Sequence, residues 1–91
     1  MKVTRRVWSP DRLDVAIVAE IALLGGWDGA VISRADLAYR VGIGVARLER
    51  RLEPLARYGY MMRQHIGRGV CFWVLRVAAV SDVHEVRPDG R

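Results

Sequence analysis

The stretch DLAYRVGIGVARLERRLEPLARYGY, residues 36–60, decides the fold. It predicts two short helices joined by a tight turn, because Gly42-Ile43-Gly44 interrupts an otherwise helical pattern. The second helix is expected over residues 44–58. At about 100° per residue its apolar positions fall within a sector of roughly 80°. These positions are Val45, Leu48, Leu52 and Leu55.

The opposite face of this second helix is rich in arginine. It carries Ala46, Arg47, Arg50, Pro54 and Arg57. The proline removes one backbone hydrogen bond, but it lies on the outward face, where the freed carbonyl can bind water. We therefore expect a mild kink and a continuing helix. A helix that is apolar behind and basic in front, introduced by a tight turn, is typical of an element that enters a groove lined with phosphates.

Capping signals place the starts of two further helices. Ser33 can accept from the amide of Asp36, whose carboxylate can reach back to complete a capping box. Ser9-Pro10-Asp11 predicts the start of the first helix, with the serine as cap, and Gly25-Gly26 predicts its end just after Leu24. Its main stripe consists of Leu13, Ile17, Ile21 and Leu24.

This first helix is apolar nearly all round, so it must be covered on more than one side. A partner subunit can supply the second cover. The N-terminal arm and the C-terminal tail of the same chain can also supply it.

Residues 60–76 alternate around Gly67-Arg68, a pair suited to the turn of a β-hairpin. This turn pairs Met62 with Trp73, Gln64 with Cys71 and Tyr60 with Leu75. The expected core face consists of Tyr60, Met62, Cys71, Trp73 and Leu75. A slip of one residue would instead turn Met61, Phe72 and Val74 inward. Residues 30–32 predict a short strand pairing with the hairpin, and the tail is open to three interpretations: an extra strand, a dimer arm or a frayed end.

The positive charge is concentrated in one half of the chain. Residues 34–76 hold nine arginines against three acidic residues, a net charge of +6, whereas the rest holds six basic and seven acidic residues, a net charge of −1. Such asymmetry indicates a polyanionic partner. Fourteen of the fifteen basic residues are arginine, which suits bidentate contact with phosphate or guanine, although a GC-rich genome produces the same bias.

The run from Ser33 to Arg76 resembles the winged helix-turn-helix domains of transcription regulators. The resemblance rests on a leucine-alanine helix, a glycine turn, a recognition helix ending in Leu55-x-x-x-Gly59, and a two-stranded wing. Gly44, where such domains usually place a serine or threonine cap, and Pro54 depart from the pattern. The expected fold is α+β: a small winged helix domain of three helices with a two- to three-stranded antiparallel β-hairpin wing. Its expected organisation is an N-terminal arm (1–8), the winged helix-turn-helix domain (9–76) and a C-terminal tail (77–91).

The resemblance implies double-stranded DNA as the partner and assigns the arginines by position. Arg47 and Arg50 would enter the major groove, where arginine donates twice to guanine. The others would contact the phosphate backbone or a neighbouring minor groove: Arg51 and Arg57 on the recognition helix, Arg34 and Arg40 on the preceding helix, Arg68 at the wing tip, and Arg63 with His65 along the wing.

The expected function is that of a small, repressor-like transcriptional regulator that binds DNA sequence-specifically as a homodimer, through the first helix, the tail or both. One alternative is an accessory DNA-binding protein for replication, partition or recombination in a phage or plasmid. Another is a winged helix that docks a protein, since Glu49 and Glu53 partly offset the arginines.

Enzymatic, metal and membrane functions are not expected. His65 and His84 are nineteen positions apart, with no carboxylate at ligand spacing, so neither a catalytic group nor a metal site is predicted. We also expect no cofactor and no small-molecule ligand. The single Cys71 is compatible with a reducing cytoplasm. No membrane span is predicted, since the apolar run of residues 15–24 is short and contains Glu20. The expected location is the cytoplasm, with the nucleoid, or the host cytoplasm if the protein is viral.

Overall fold

A computed structural model of the protein describes residues 6–67, 69–82 and 84–86. These residues contain three helices and five strands. The helices are α1 (Arg12–Leu23), α2 (Arg34–Val41) and α3 (Val45–Arg57). The strands are β1 (Arg6–Trp8), β2 (Ala30–Ile32), β3 (Met61–Ile66), β4 (Gly69–Val74) and β5 (His84–Val86).

The turn between α2 and α3 forms where the glycines predicted it. Gly42 adopts a left-handed conformation (φ 85°), and its amide donates to the carbonyls of Ala38 and Tyr39, which ends α2. Ser33 caps α2 as expected, with its Oγ 3.0 Å from the amide nitrogen of Asp36. The expected return bond from the Asp36 carboxylate is wrong, because that carboxylate accepts instead from Arg40 one turn further on.

Helix α3 packs through its leucines. Leu48, Leu52 and Leu55 are fully buried, as the stripe predicted. Val45 is exposed instead, because it is the first residue of the helix and lies at the edge of the stripe. The helix continues through Pro54 to Arg57, and the Pro54 carbonyl accepts from the amide of Tyr58 at 2.9 Å. The proline therefore leaves the end of α3 intact.

The start of α1 differs from the prediction. Asp11, and not Ser9, is the N-cap: its side chain accepts from the Asp14 amide while the Asp14 side chain accepts from the Asp11 amide, both at 3.0 Å. This reciprocal box satisfies two backbone donors at once, whereas a helix starting at Pro10 would have only the serine. Pro10 is buried ahead of the helix, and α1 ends at Leu23, one residue before the predicted end.

The apolar surplus of α1 is covered within the chain. Ile17, Val18 and Ile21 are buried, and the helix packs against both α2 and β4. The outer stripe that remains exposed is formed mainly by small residues, Ala16 and Ala19, and ends at Leu23. Trp8 of the N-terminal arm and Ala78 of the C-terminal tail pack in the same core as α1, so both segments take part in the cover that the chain supplies.

Strands β2, β4 and β3 form one antiparallel sheet in the order β2-β4-β3. The predicted hairpin register is confirmed, with Met62 opposite Trp73 and Gln64 opposite Cys71. Gly67, in the turn, has a positive φ of 58°. The short strand β2 pairs with β4, as predicted, through Ala30 opposite Phe72. Three helices and this sheet form a small α+β fold of the winged-helix type.

The predicted inward face of the hairpin is wrong although its register is right. Met61, Phe72 and Val74 face the helices and are buried, whereas Met62 and Leu75 are exposed. Of the other residues predicted to be core, Cys71 is buried and Trp73 is half-buried, although both lie on the opposite face. Register fixes which residues are opposite one another, but not which face meets the core. Tyr60 is buried, as predicted. It precedes β3, and its amide donates to the Leu55 carbonyl at the end of α3, so its side chain does not follow the alternation of the strand.

A second, two-stranded ribbon joins the two ends of the described chain. β1 pairs antiparallel with β5, with Trp8 opposite His84 in the backbone register. The Trp8 ring stacks on Tyr58, with ring centroids 4.7 Å apart. Residues 6–8 of the expected N-terminal arm therefore form a strand. Of the three interpretations of the tail, an extra strand is present at residues 84–86.

Candidate nucleic-acid interface

The outward face of α3 has the composition predicted for it. Ala46, Arg47, Arg50 and Arg57 are exposed, and Pro54 is half-buried. This face lies opposite the buried leucines, so the core of the domain fixes its direction. Because α3 is held by its three leucines and by the turn from α2, its basic face is presented on a rigid support.

Arg47 and Arg50 differ from Arg57 on this face in having no ion pair among the described residues. Neither forms a hydrogen bond or an ion pair with any of the described residues, and both are exposed. Each guanidinium therefore presents its five N–H donors to an external acceptor. Residues three apart on a helix are neighbours, roughly 5–6 Å between Cβ atoms, so the two side chains can reach adjacent groups of one ligand.

Arg57 and Arg40 pair with acidic residues of their own helices. Arg57 Nη2 lies 2.9 Å from Glu53 Oε1, and both side chains are mostly exposed. Arg40 Nε lies 3.1 Å from Asp36 Oδ2 and its Nη1 lies 3.7 Å from Glu20 Oε1 on α1. Exposed pairs of this kind are weak, at about 0–1 kcal/mol, so a phosphate can replace the carboxylate at little cost.

Arg51 faces α1 rather than the outward side of α3. Its Nη1 lies 2.6 Å from Asp11 Oδ2 and 3.4 Å from Asp14 Oδ2, which ties α3 to the capping box of α1. Burial raises the pKa of Asp14, which is 2% exposed. Burial also acts to raise the pKa of Asp11, but hydrogen bonds from the Asp14 amide and from Arg51 outweigh it and lower that pKa. This geometry gives Arg51 a structural role in the domain.

Glu49 joins three elements at one carboxylate. Its Oε1 accepts from Arg34 Nη1 of α2 at 3.2 Å, and its Oε2 accepts from Arg63 Nη1 of β3 at 2.9 Å. Burial acts to raise the pKa of Glu49, but the bonds from Arg63 and Arg34 lower it below its ordinary value. Each guanidinium uses one N–H here and keeps further donors for a phosphate. Two predicted phosphate contacts are thereby held together beside α3.

Replacing Glu49 with glutamine tests this arrangement. The amide preserves the size of the side chain but removes the negative charge shared by Arg34 and Arg63. We expect tighter binding to random duplex DNA at low salt and a salt slope steeper by up to about one unit. Fluorescence anisotropy at several salt concentrations measures both. Unchanged or weaker binding would show that the two arginines do not contact DNA.

Two further residues were predicted to contact DNA from the wing, His65 and Arg68. His65 is exposed on β3, on the same side of the sheet as Arg63, since both alternate with Met62 and Gln64. Arg68 lies outside the described residues, and its wing-tip role stays a prediction. The bridging role of Glu49 was missed by the sequence interpretation, which counted it only as an offsetting charge; its partners are 15 and 14 positions away, so no local pattern reveals them.

Comparison of the chain with models of known protein families gives no match, and comparison with curated proteins gives none either. Within the described residues, no group of three or more histidine, cysteine, aspartate or glutamate side chains is placed to hold a metal ion. In the same part of the chain, no helix is both long and apolar enough to cross a membrane.

Proposed function

We propose that the protein binds double-stranded DNA sequence-specifically as a small transcriptional regulator, with α3 in the major groove. The observation that carries this proposal is the pair Arg47 and Arg50, exposed and unpaired among the described residues on the outward face of α3. Arginine at the front of such a helix can donate twice to guanine, which gives about 1–3 kcal/mol of discrimination per base pair. A DNA-binding role would locate the protein with the nucleoid, or in the host cytoplasm if it is viral.

The neighbouring arginines support the same orientation. Arg34 and Arg63 flank α3 on one side through Glu49, and Arg57 lies near its C-terminal end. Phosphate contacts from these positions would fix the register of α3 on the duplex without reading sequence. The positive excess of residues 34–76 therefore belongs to one continuous unit of α2, α3 and the hairpin.

The proposal includes a homodimer, because winged helices that read short sites gain specificity from two half-sites. The apolar circumference of α1 is now a weaker reason to place the dimer contact on that helix, because α2 and β4 already cover two of its sides. The tail takes part in the ribbon with β1, which leaves its role in a dimer as a prediction.

Selection from a pool of randomised duplex DNA, titrated at two salt concentrations, tests the proposed function. Enrichment of a short palindromic site supports a dimeric regulator. Salt-sensitive binding without enrichment points to the replication, partition or recombination alternative, in which the same surface binds DNA without reading it. Absence of binding at low salt would contradict the DNA-binding proposal and leave the protein-docking alternative.

A further inference from the structure

The sheet has a second face that the proposed DNA interface does not use. Side chains alternate along a strand, so the residues opposite the helix-packed face are fixed by the register. We call these residues the outer face. They are Val31 on β2, Met62, Gln64 and Ile66 on β3, and Cys71 and Trp73 on β4. Leu75, just after β4, continues the same alternation.

The outer face is apolar and is exposed except at Cys71, which is buried, and Trp73, which is half-buried. Val31 is 65% exposed, Met62 and Ile66 are each 49% exposed, and Leu75 is 53% exposed. Gln64 is its only polar amide and no side chain in the set carries a charge. A contiguous apolar patch on a small domain marks an interaction site more often than an accident of packing.

Two glycines make room for side chains of the outer face. A Cβ atom at Gly69 would lie 2.7 Å from Val31 Cγ1, so the glycine leaves room for the valine across the strands. Gly29 similarly lies against the indole of Trp73, where an added Cβ would be 2.5 Å from Nε1. A side chain at either glycine would therefore displace a residue of the outer face.

The charged residues of the hairpin lie on the other side. Arg63 and His65 alternate with the outer-face residues of β3 and so project toward the α3 side of the sheet. Met62 and Leu75 border a groove that is also lined by Glu53, Arg57 and Arg63, so charge lies at that edge of the outer face. A contact on the outer face leaves Arg47 and Arg50 free, because both lie on the outward side of α3. The outer-face side chains themselves carry no charge that an acidic or basic partner could complement.

We propose that the outer face is the contact between two copies of this chain. In a twofold dimer the same patch meets itself, and an uncharged patch does so without opposing like charges. Its exposed side chains, four apolar residues and Gln64, cover less than the roughly 800 Å² per partner of a standard interface, which places the contact in the class of small, weak interfaces. The dimer is therefore expected to dissociate on dilution within the micromolar range. This proposal rests on the homodimer of the proposed function, but not on its DNA contacts.

Sedimentation equilibrium of the full chain and matched lysine variants tests the proposal. Val31→Lys and Ile66→Lys each place charges against the partner copy, and we expect the dissociation constant to rise by at least about 100-fold. Leu23→Lys is the matched control, an equally drastic change at an 81% exposed position on α1, and it should leave the dissociation constant unchanged. A wild-type chain that stays monomeric, or variants that dimerise as well as wild type, would overturn the proposal, as would dissociation caused by Leu23→Lys.

Two further readouts separate this proposal from loss of folding and from the DNA proposal. Met62→Gln is a milder, uncharged change that should also weaken the dimer, with far-ultraviolet circular dichroism checking the fold; an unchanged dissociation constant for a folded Met62→Gln would count against the outer face. The monomeric variants should keep salt-sensitive binding to a short random duplex. If the wild-type chain is a dimer that these variants break, but it binds no DNA, the outer-face proposal is supported and the DNA proposal is contradicted. If the wild-type chain is always a monomer and binds DNA, the DNA proposal is supported and the outer-face proposal is contradicted.

Discussion

Alanine at both Arg47 and Arg50 is expected to abolish sequence-specific DNA binding while leaving the fold intact. Both side chains are exposed and form no ion pair with the described residues, so their removal takes no contact from the core. If each donates twice to a guanine, the loss is about 1–3 kcal/mol per arginine, or roughly 30-fold to 10⁴-fold in affinity for the double variant.

Binding to the selected site and to a scrambled duplex, measured side by side, checks this expectation. The selected site should lose its preference, whereas the scrambled duplex should lose only the electrostatic part of two charges. Arg12→Ala is the matched control, because Arg12 is an exposed arginine on α1 without an ion pair in the described part of the chain. Unchanged affinity of the double variant for the selected site would refute the assignment of α3 as the reading element.

Thermal unfolding of the same variants gives the structural control. Exposed substitutions away from the core change stability by about 0.5 kcal/mol or less. A double variant that melts like wild type but has lost the selected site would locate the effect at the protein–DNA contact. A large fall in melting temperature would instead mean that the arginines support the fold.

The local elements of the fold could be predicted because their signals are local. Gly42 ends α2 in a left-handed conformation that favours glycine, and the leucine stripe defines the buried side of α3. The hairpin register followed from its two-residue turn, since loop length fixes which residues are paired. In each case the deciding residues are within a few positions of one another.

The inward face of the sheet could not be predicted, because it depends on how the hairpin leaves α3. Both faces of β3 and β4 are apolar enough to be core, so the alternation favours neither. The face that meets the helices is the one carrying Met61 and Phe72, and the other face is left exposed at Met62 and Leu75. The ambiguity in the sequence thus corresponds to a physical property of the domain, a sheet that is apolar on both sides.

The sequence also could not predict which arginines form ion pairs with carboxylates and which do not. Arg51 lies on the same helix as Arg47 and Arg50 but is paired with Asp11, forty positions away. Glu49 holds its two arginines from other elements of the fold. Angular position on α3 identified the outward face, but only tertiary packing determines which flanking arginines meet carboxylates.

Arg51→Ala is expected to lower stability by about 2 kcal/mol at neutral pH, which is about 8–16 °C in melting temperature for a domain of this size. The full 3–5 kcal/mol of a broken buried pair is not expected, because the Arg51 side chain is 30% exposed. Its loss leaves the buried Asp14 carboxylate without its cation. Asp11 loses its shortest hydrogen bond as well.

The pH dependence of this effect follows from the signs of the two pKa shifts. Burial raises the pKa of Asp14 in the folded state, so its contribution to stability is present at low pH and is lost as the pH rises and the carboxyl ionises. The pKa of Asp11 is lowered despite its burial, so its contribution is present above the ordinary value of 3.8 and is lost as the pH falls through the folded-state value. Arg51 stabilises the ionised form of both groups. The deficit of Arg51→Ala should therefore be largest near neutral pH and shrink once both carboxyls are protonated.

Thermal melts of wild type and Arg51→Ala from neutral pH to below 3.8 measure this change in the deficit. Arg57→Ala is the control, since its pair with Glu53 is exposed on both sides and should contribute at most about 1 kcal/mol. A deficit for Arg51→Ala that matches Arg57→Ala, or that persists undiminished at low pH, would show that the bridge to α1 is not what Arg51 contributes. A pH-dependent deficit would instead establish that Arg51 holds α3 on α1 through its two carboxylate partners, Asp11 and Asp14.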